Sequence, residues 1–111
     1  MKTQALQDSA LFQTGYLVDG VWKTLDTTFD VVNPATGEVI AKVAKAGTKE
    51  TEEAIAAASR AFPAWRAKTA KERSAILYRW YELIIENKQW LGQLMTTEQG
   101  KPLKEAEGEV E

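Results

Sequence analysis

Residues 31–40 read VVNPATGEVI, and this stretch predicts how the first part of the chain folds. Pro34 fixes φ at the start of a turn, and Gly37 can adopt the positive φ that ends it. Apolar residues on both sides are typical of strands, so we predict a hairpin with strands over Phe29–Val32 and Glu38–Val43. The second strand mixes polar and apolar positions, which indicates a ribbon lying against another element.

A second hairpin is predicted just before this one. The pair Asp19 and Gly20 separates the apolar runs Tyr16–Val18 and Val21–Lys23. An Asp-Gly pair favours a type I′ turn, because both central residues of that turn need positive φ. Two hairpins alone are marginally stable, so we expect helices or a further partner to cover them.

Good helix formers dominate the chain from residue 48 onward, whereas β-branched residues and glycines are concentrated before it. We therefore divide the chain into an N-terminal arm (1–14), a β-hairpin part (15–47) and a helical part (48–111). About four helices are expected in the helical part. The first is predicted to follow an N-cap at Thr48 and to be interrupted at Pro63.

The later helices carry clear start and stop signals. Thr69 and Glu72 form a capping box, and an amphipathic stripe follows at helical spacing. The members of that stripe are Ile76, Leu77, Trp80, Leu83 and Ile84. We predict that Asn87 caps a third helix, that Gly100 ends it, and that Pro102 is the first residue of a fourth.

The fourth helix is unusual because acidic residues accumulate at its end. These are Glu105, Glu107, Glu109 and Glu111. A helix C-terminus carries partial negative charge, so each carboxylate is unfavourable there. We expect this helix to continue in a longer protein, the alternative being a frayed acidic tail.

Composition excludes several kinds of chemistry. The 111 residues include 14 Lys and Arg against 16 Asp and Glu, for a net charge of −2, which argues against nucleic-acid binding by bulk positive charge. The chain has no Cys and no His. Disulfides, thiol nucleophiles, histidine bases and histidine metal sites are therefore impossible within it.

No signal peptide and no membrane-spanning segment is visible in the sequence. The longest purely apolar run is Ala54–Ala58, far shorter than the roughly 20 residues that a span needs. We expect a cytoplasmic location and no membrane partner.

The basic segment Arg60–Arg79 is the main alternative site. Its cations are Arg60, Arg66, Lys68, Lys71, Arg73 and Arg79. With nearby aromatic residues it could serve a free-standing α+β interaction module as an anion-binding face. A solvated helix face is the simpler interpretation, since long basic stems often cover apolar surface.

Other candidate motifs fail on physical grounds. Gly100 and Lys101 lack the spacing of a phosphate-binding loop, and Pro102 follows. The alternating glutamates of the fourth helix point in different directions, so they do not converge on a metal. The four Trp residues stand at stripe or hairpin positions, where core packing is the default expectation.

An ordered set of motifs resembles the N-terminal segment of the aldehyde dehydrogenase superfamily. The motifs are Asp19–Trp22, Val32–Glu38, the helix AIAAASRAFPAW at Ala54–Trp65, and the run Thr97–Ala106. The resemblance covers almost everything from about residue 12 to 111. Among the subfamilies, the chain is most similar to bacterial succinate-semialdehyde dehydrogenases.

The resemblance implies an α/β parent enzyme that oxidises an aldehyde, expected to be succinate semialdehyde, with NADP or NAD as cofactor. Such enzymes use a Cys nucleophile, an Asn in the oxyanion hole and a Glu base. None of these falls within the matched portion, and Asn33 belongs to a turn. We therefore expect no catalytic and no cofactor-binding residue in this chain, which is predicted to be inactive alone.

The resemblance also implies one cation site and a set of partners. Some members bind a monovalent cation through a backbone carbonyl before the Asn-Pro turn and a later acidic residue. Here these would be Val32, with Glu111 or Glu109. The segment is expected to form the outer layer of a cofactor-binding domain, to expose apolar surface, and to pair with the remainder of its enzyme or another chain. The parent is expected to be a homo-oligomer, a dimer or tetramer, with no nucleic-acid partner.

Overall fold

The structure is a computed structural model that describes residues 3–111. Over that range the chain forms two β-hairpins followed by four helices, as predicted, and a fifth, unpredicted helix precedes the hairpins. The elements are α1 (Thr3–Gln7), β1 (Tyr16–Val18), β2 (Val21–Lys23), β3 (Thr28–Val32), β4 (Val39–Ala44), α2 (Thr48–Ala67), α3 (Ala70–Glu86), α4 (Lys88–Gln99) and α5 (Leu103–Val110). Residues 1 and 2 of the predicted arm lie outside the described residues.

Both hairpins close at the predicted turns. β1 pairs antiparallel with β2, and the turn residues Asp19 and Gly20 have φ of 55° and 74°, which confirms the positive-φ expectation. β3 pairs antiparallel with β4, and Gly37 ends that turn with a φ of 76°. The two sheets remain separate, but the Ala44 N–H donates to the Thr14 carbonyl at 2.8 Å and so ties β4 to the segment before β1.

Helix α1 was not predicted, because its five residues show no apolar period. Its only buried residue is Leu6, which has no exposed surface. α1 lies against α4, and the Gln7 side-chain amide donates to the Ile40 carbonyl of β4 at 2.6 Å. The arm is therefore anchored to both the hairpin part and the helical part.

Helix α2 differs from the prediction at both marked positions. Its N-cap is Gly47 and not Thr48, because the Glu50 carboxylate accepts from the Gly47 N–H at 2.7 Å and satisfies that donor. The helix continues through Pro63 to Ala67. Proline removes one backbone donor, and this exposed helix tolerates that loss without ending.

Hairpin β1–β2 packs on α2 through small residues and two ion pairs. Ala54, Ala57 and Ala58 of α2 lie beside Leu17 and Val18 of β1. Lys23 pairs with Glu53, and this hydrogen bond raises the pKa of the lysine above its ordinary value. The Arg60 guanidinium lies 3.7 Å from the Asp19 carboxylate.

Helix α3 begins with the predicted capping box. The Glu72 N–H donates to Thr69 Oγ1 at 3.3 Å, and the Glu72 carboxylate accepts from the Thr69 N–H at 2.7 Å. These bonds to Thr69 hold the pKa of Glu72 below its usual value of 4.5. The prediction for this helix start is confirmed.

The capping box of Thr69 and Glu72 should make the free energy of unfolding depend on pH. Because the folded-state pKa of Glu72 is lowered, its contribution is present above about pH 4.5 and is lost as pH falls through the folded pKa. We expect urea unfolding to show a stability gap between the wild-type chain and Glu72→Gln at pH 7 that shrinks at pH 3. A gap of equal size at both pH values would contradict this role.

The helix junctions after α3 follow the sequence with small shifts. Asn87 is the N-cap residue of α4, as predicted, but its side chain donates to the Leu83 carbonyl at 2.8 Å and makes no capping bond to α4. Gly100 ends α4 with a φ of 83°, as predicted. Pro102 is the N-cap of α5 and not its first residue, because its ψ of 138° is extended.

Helices α4 and α5 form the closest helix pair of the described structure. Gly92 of α4 is buried, and a Cβ there would lie 2.8 Å from Glu107 Cγ and 3.3 Å from the Glu107 backbone nitrogen. Such contacts are too short for a methyl group. Only glycine at residue 92 lets the α5 backbone approach this closely.

Two glycine-to-alanine substitutions should therefore change the free energy of unfolding in opposite directions. Gly92→Ala should lower the free energy of unfolding by about 1–2 kcal/mol, because overpacking against α5 outweighs the gain in helix propensity. Gly108→Ala should raise it by about 0.5–1 kcal/mol, since nothing lies within 4 Å of its added Cβ. Urea unfolding of the two variants checks this, and equal effects would contradict the packing.

Much apolar surface is exposed, as expected from the sequence. The predicted core role of the Trp residues is wrong for Trp22 and Trp80, which are 50% and 63% exposed. They face outward because no described element covers them, whereas Trp65 and Trp90 are half-buried. Among residues 3–111, no helix is both long and apolar enough to cross a membrane.

Candidate functional site

The two most distinctive turns of the sequence meet in space. Asn33 organises the first turn, because its side-chain oxygen accepts from the Ala35 N–H at 2.9 Å and its carbonyl accepts from the Gly37 N–H at 2.8 Å. Gly100 lies against this turn, and a Cβ on it would be 2.9 Å from Pro34 Cγ. We call this contact between Pro34 and Gly100 the motif junction.

A groove of about 360 Å³ lies between β3, the end of α4 and α5. Its lining residues are Val31, Met95, Glu98, Gln99 and Glu109. One predicted site residue, Glu109, lies in its wall together with Val31, the neighbour of the predicted Val32. Val32 is the last residue of β3, pairs with Val39 across the β-bulge, and follows Val31 of the groove wall.

The structure separates the two acidic alternatives for that site. Glu109 lines the groove and pairs with Lys101. Glu111 pairs with Lys88 at the start of α4, whereas the groove contacts the end of that helix. Both lysines also compensate the acidic end of α5. Within residues 3–111, no cluster of three acidic, Cys or His side chains could hold a metal ion.

The basic segment Arg60–Arg79 does not form one open cationic face. Arg60 pairs with Asp19 of the β1–β2 turn. Arg73 donates to the Lys68 carbonyl at the α2–α3 corner, and Arg79 lies 3.4 Å from Glu82. Half of the six cations therefore interact with other groups of the chain, which weakens the interaction-module alternative.

Comparison with known proteins shows which family this chain belongs to. The sequence model described as the aldehyde dehydrogenase family matches residues 22–111. The chain belongs to the aldehyde dehydrogenase family. Both turns of the motif junction lie within the matched range, so the family relation includes the contact that joins the hairpin part to the helical part.

Semialdehyde dehydrogenases are among the similar aldehyde dehydrogenases. The chain is 59% identical over 107 residues to glutarate-semialdehyde dehydrogenase of Pseudomonas putida, covering 95% of this chain and 22% of the relative. It is 50% identical to the NADP(+) succinate-semialdehyde dehydrogenase of Escherichia coli, with coverage of 95% and 22%. The chain therefore spans about a fifth of the length of these relatives.

Solved aldehyde dehydrogenase structures share the fold. The structure from Brucella melitensis biovar abortus gives a TM-score of 0.90 at 47% identity and covers 96% of this chain and 22% of that one. Betaine aldehyde dehydrogenase from Staphylococcus aureus, solved in complex with NAD+, gives 0.84 at 30% identity, with coverage of 91% and 21%. The α/β fold class expected from the resemblance is confirmed.

Sequence reasoning found both turns but not the groove between them. Met95, Glu98 and Gln99 reach the groove because the last turn of α4 lies beside β3. The only sequence signal was Gly100, which ends α4 in a left-handed conformation and turns the chain toward α5. A local stop signal of this kind does not reveal which strand the helix end will contact.

Proposed function

We propose that this chain is the outer structural layer of the cofactor-binding domain of an NAD(P)-dependent semialdehyde dehydrogenase. The motif junction is the observation that carries the proposal, because it fixes the hairpins against α4 and α5 in an arrangement that the relatives share. The substrate would be a semialdehyde with a distant carboxylate, such as glutarate or succinate semialdehyde. The names of the relatives support both compounds.

The reaction itself would depend on residues outside this chain. Oxidation through a covalent thioester needs a thiol nucleophile, and the sequence has no Cys. NAD or NADP would also bind elsewhere in the enzyme. Dinucleotides bind at the carboxyl ends of parallel strands, whereas the strands in residues 3–111 form antiparallel hairpins.

Three finer expectations belong to this proposal. Val32 and Glu109 would provide the backbone and acidic ligands of a structural cation, since Glu109 lines the groove and Val32 follows Val31 of its wall. The assembled enzyme would be a cytoplasmic homo-oligomer. This segment would bind neither nucleic acid nor membrane.

An assay of the purified 111-residue chain tests the structural role. With glutarate or succinate semialdehyde and either NAD or NADP, we expect no increase in the absorbance of reduced cofactor. Titration of each cofactor should leave the tryptophan fluorescence unchanged. The E. coli relative serves as the positive control, and turnover by the chain alone would contradict the proposal.

A further inference from the structure

The turn between β1 and β2 contains the only aspartate of this sequence that precedes a glycine. The other aspartates, Asp8, Asp26 and Asp30, precede serine, threonine and valine. The carboxyl carbon of an aspartate can be attacked by the main-chain nitrogen of the next residue, which closes a five-membered succinimide ring. A side chain on that next residue hinders the attack, and glycine has none.

The main-chain nitrogen of Gly20 is accessible for this reaction. Gly20 lies between Val18 and Val21, the last pair of the β1–β2 ladder, and so stands outside the ladder. Among the main-chain hydrogen bonds of residues 3–111, none uses the Gly20 N–H as donor. A Cβ added at Gly20 would meet nothing within 4 Å, so the space around the turn is open.

The carboxyl group of Asp19 is also accessible. Its side chain is 71% exposed and lies 3.7 Å from the Arg60 guanidinium, which is itself exposed. A pair of exposed groups at this distance is weak, so it does not hold the carboxylate in one orientation. The φ of Asp19 is 55°, a conformation that is unfavourable for a residue with a Cβ. Rotation out of this conformation toward the attacking nitrogen therefore relieves backbone strain.

We propose that Asp19 is a site of spontaneous conversion to isoaspartate, and that this modification releases hairpin β1–β2 from α2. In the first step the Gly20 nitrogen forms a bond to Asp19 Cγ. The hydroxyl of the protonated carboxyl group leaves with the amide proton as water, which gives the succinimide.

Hydrolysis completes the conversion without any change in oxidation state. Water adds to the main-chain carbonyl carbon of Asp19, and the bond from that carbon to the Gly20 nitrogen breaks. The ring nitrogen keeps its bond to Cγ and regains a proton. The main chain then runs through Cβ and Cγ of Asp19, and the mass of the chain is unchanged.

The lengthened main chain is incompatible with the observed hairpin. A two-residue turn fixes the register in which Leu17 faces Trp22 and Val18 faces Val21. The new carboxylate is attached directly to Cα and no longer reaches toward Arg60. Since Leu17 and Val18 also lie on the alanines of α2, loss of the register should loosen the contact between β1 and α2.

Incubation of the purified chain at neutral pH and physiological temperature tests the proposal. Digestion with a protease that cleaves before aspartate but not before isoaspartate, followed by electron-transfer fragmentation, measures conversion at each aspartate. Asp30 is the internal reference, because it also belongs to a hairpin and pairs with Lys42 at 2.6 Å, but is followed by Val31. We expect isoaspartate to accumulate at Asp19 at least about tenfold faster than at Asp30.

Gly20→Asn is the matched variant. Asparagine tolerates the positive φ of this turn but places a side chain beside the attacking nitrogen. Conversion at Asp19 should therefore slow at least about fivefold. The isoaspartate form of the wild-type chain, separated by chromatography, should unfold at a lower urea concentration than the unmodified chain.

Three results would overturn the proposal. Equal conversion at Asp19 and Asp30, or unchanged conversion in Gly20→Asn, would contradict the assignment of the site. Conversion in native buffer at less than about a tenth of the rate in urea would show that the folded hairpin protects the turn. An unchanged urea midpoint for the isoaspartate form would contradict the release of the hairpin from α2.

Discussion

Leu6→Ala should lower the free energy of unfolding by about 2–5 kcal/mol, as expected for a large-to-small change at a fully buried site. Leu6 has no exposed surface and is the only buried residue of α1. Small domains are stable by only about 5–15 kcal/mol in total. The substitution should therefore shift the urea midpoint strongly and release α1 from β4 and α4.

Leu11→Ala provides the control for this experiment. Leu11 lies in the same arm but is 47% exposed, so the same chemical change should cost less than about 1 kcal/mol. Urea unfolding followed by tryptophan fluorescence gives both values. Equal losses for the two variants would mean that α1 is not packed as described.

Gly15→Ala should destabilise the chain by about 2–3 kcal/mol. An added Cβ would lie 2.2 Å from the Lys23 carbonyl oxygen and 3.1 Å from its carbon. Both atoms are backbone, so no side-chain rotation can relieve the clash. The segment before β1 would have to move away from the end of β2, and the adjacent bond between Thr14 and Ala44 would be strained.

Gly20→Asn is the matched control in the same hairpin. Gly20 has a φ of 74° and nothing within 4 Å of an added Cβ, and asparagine tolerates this conformation. We expect a change of less than about 1 kcal/mol. The urea midpoints of the two variants distinguish steric contact from backbone conformation, and a smaller loss for Gly15→Ala would argue against the contact.

Turn and helix-end motifs predicted most of the fold, because these structures depend on interactions between neighbouring residues. The Asp19-Gly20 turn, the Asn33–Gly37 turn, the Thr69 capping box and the Gly100 stop each depend on a few neighbouring residues. The failures came where distant contacts decide. Burial of Leu6 stabilises α1. Pro63, which predicted an interruption, stays within α2 because this exposed helix tolerates the loss of one backbone donor.

The candidate site was less predictable than the fold. The sequence pointed to Val32 and the acidic residues near the end of the chain, but only the arrangement of α4, α5 and β3 shows that Glu109 and not Glu111 lines the groove. The exposure of Trp80 could not be predicted from the sequence either. An apolar stripe at helical spacing has the same pattern whether or not another element packs against it. Hydrophobic periodicity indicates which face of a helix is apolar, but it does not indicate which element packs against that face.

The motif junction has a consequence for the order of folding. Contact between Pro34 and Gly100 closes a loop of more than sixty residues that contains all of α2 and α3. Hairpins and helices form within microseconds, whereas closing a long loop costs entropy that is repaid only after its ends meet. During synthesis the Asn-Pro turn emerges well before Gly100. The β3–β4 hairpin can therefore pack against the end of α4 only after that helix has been made.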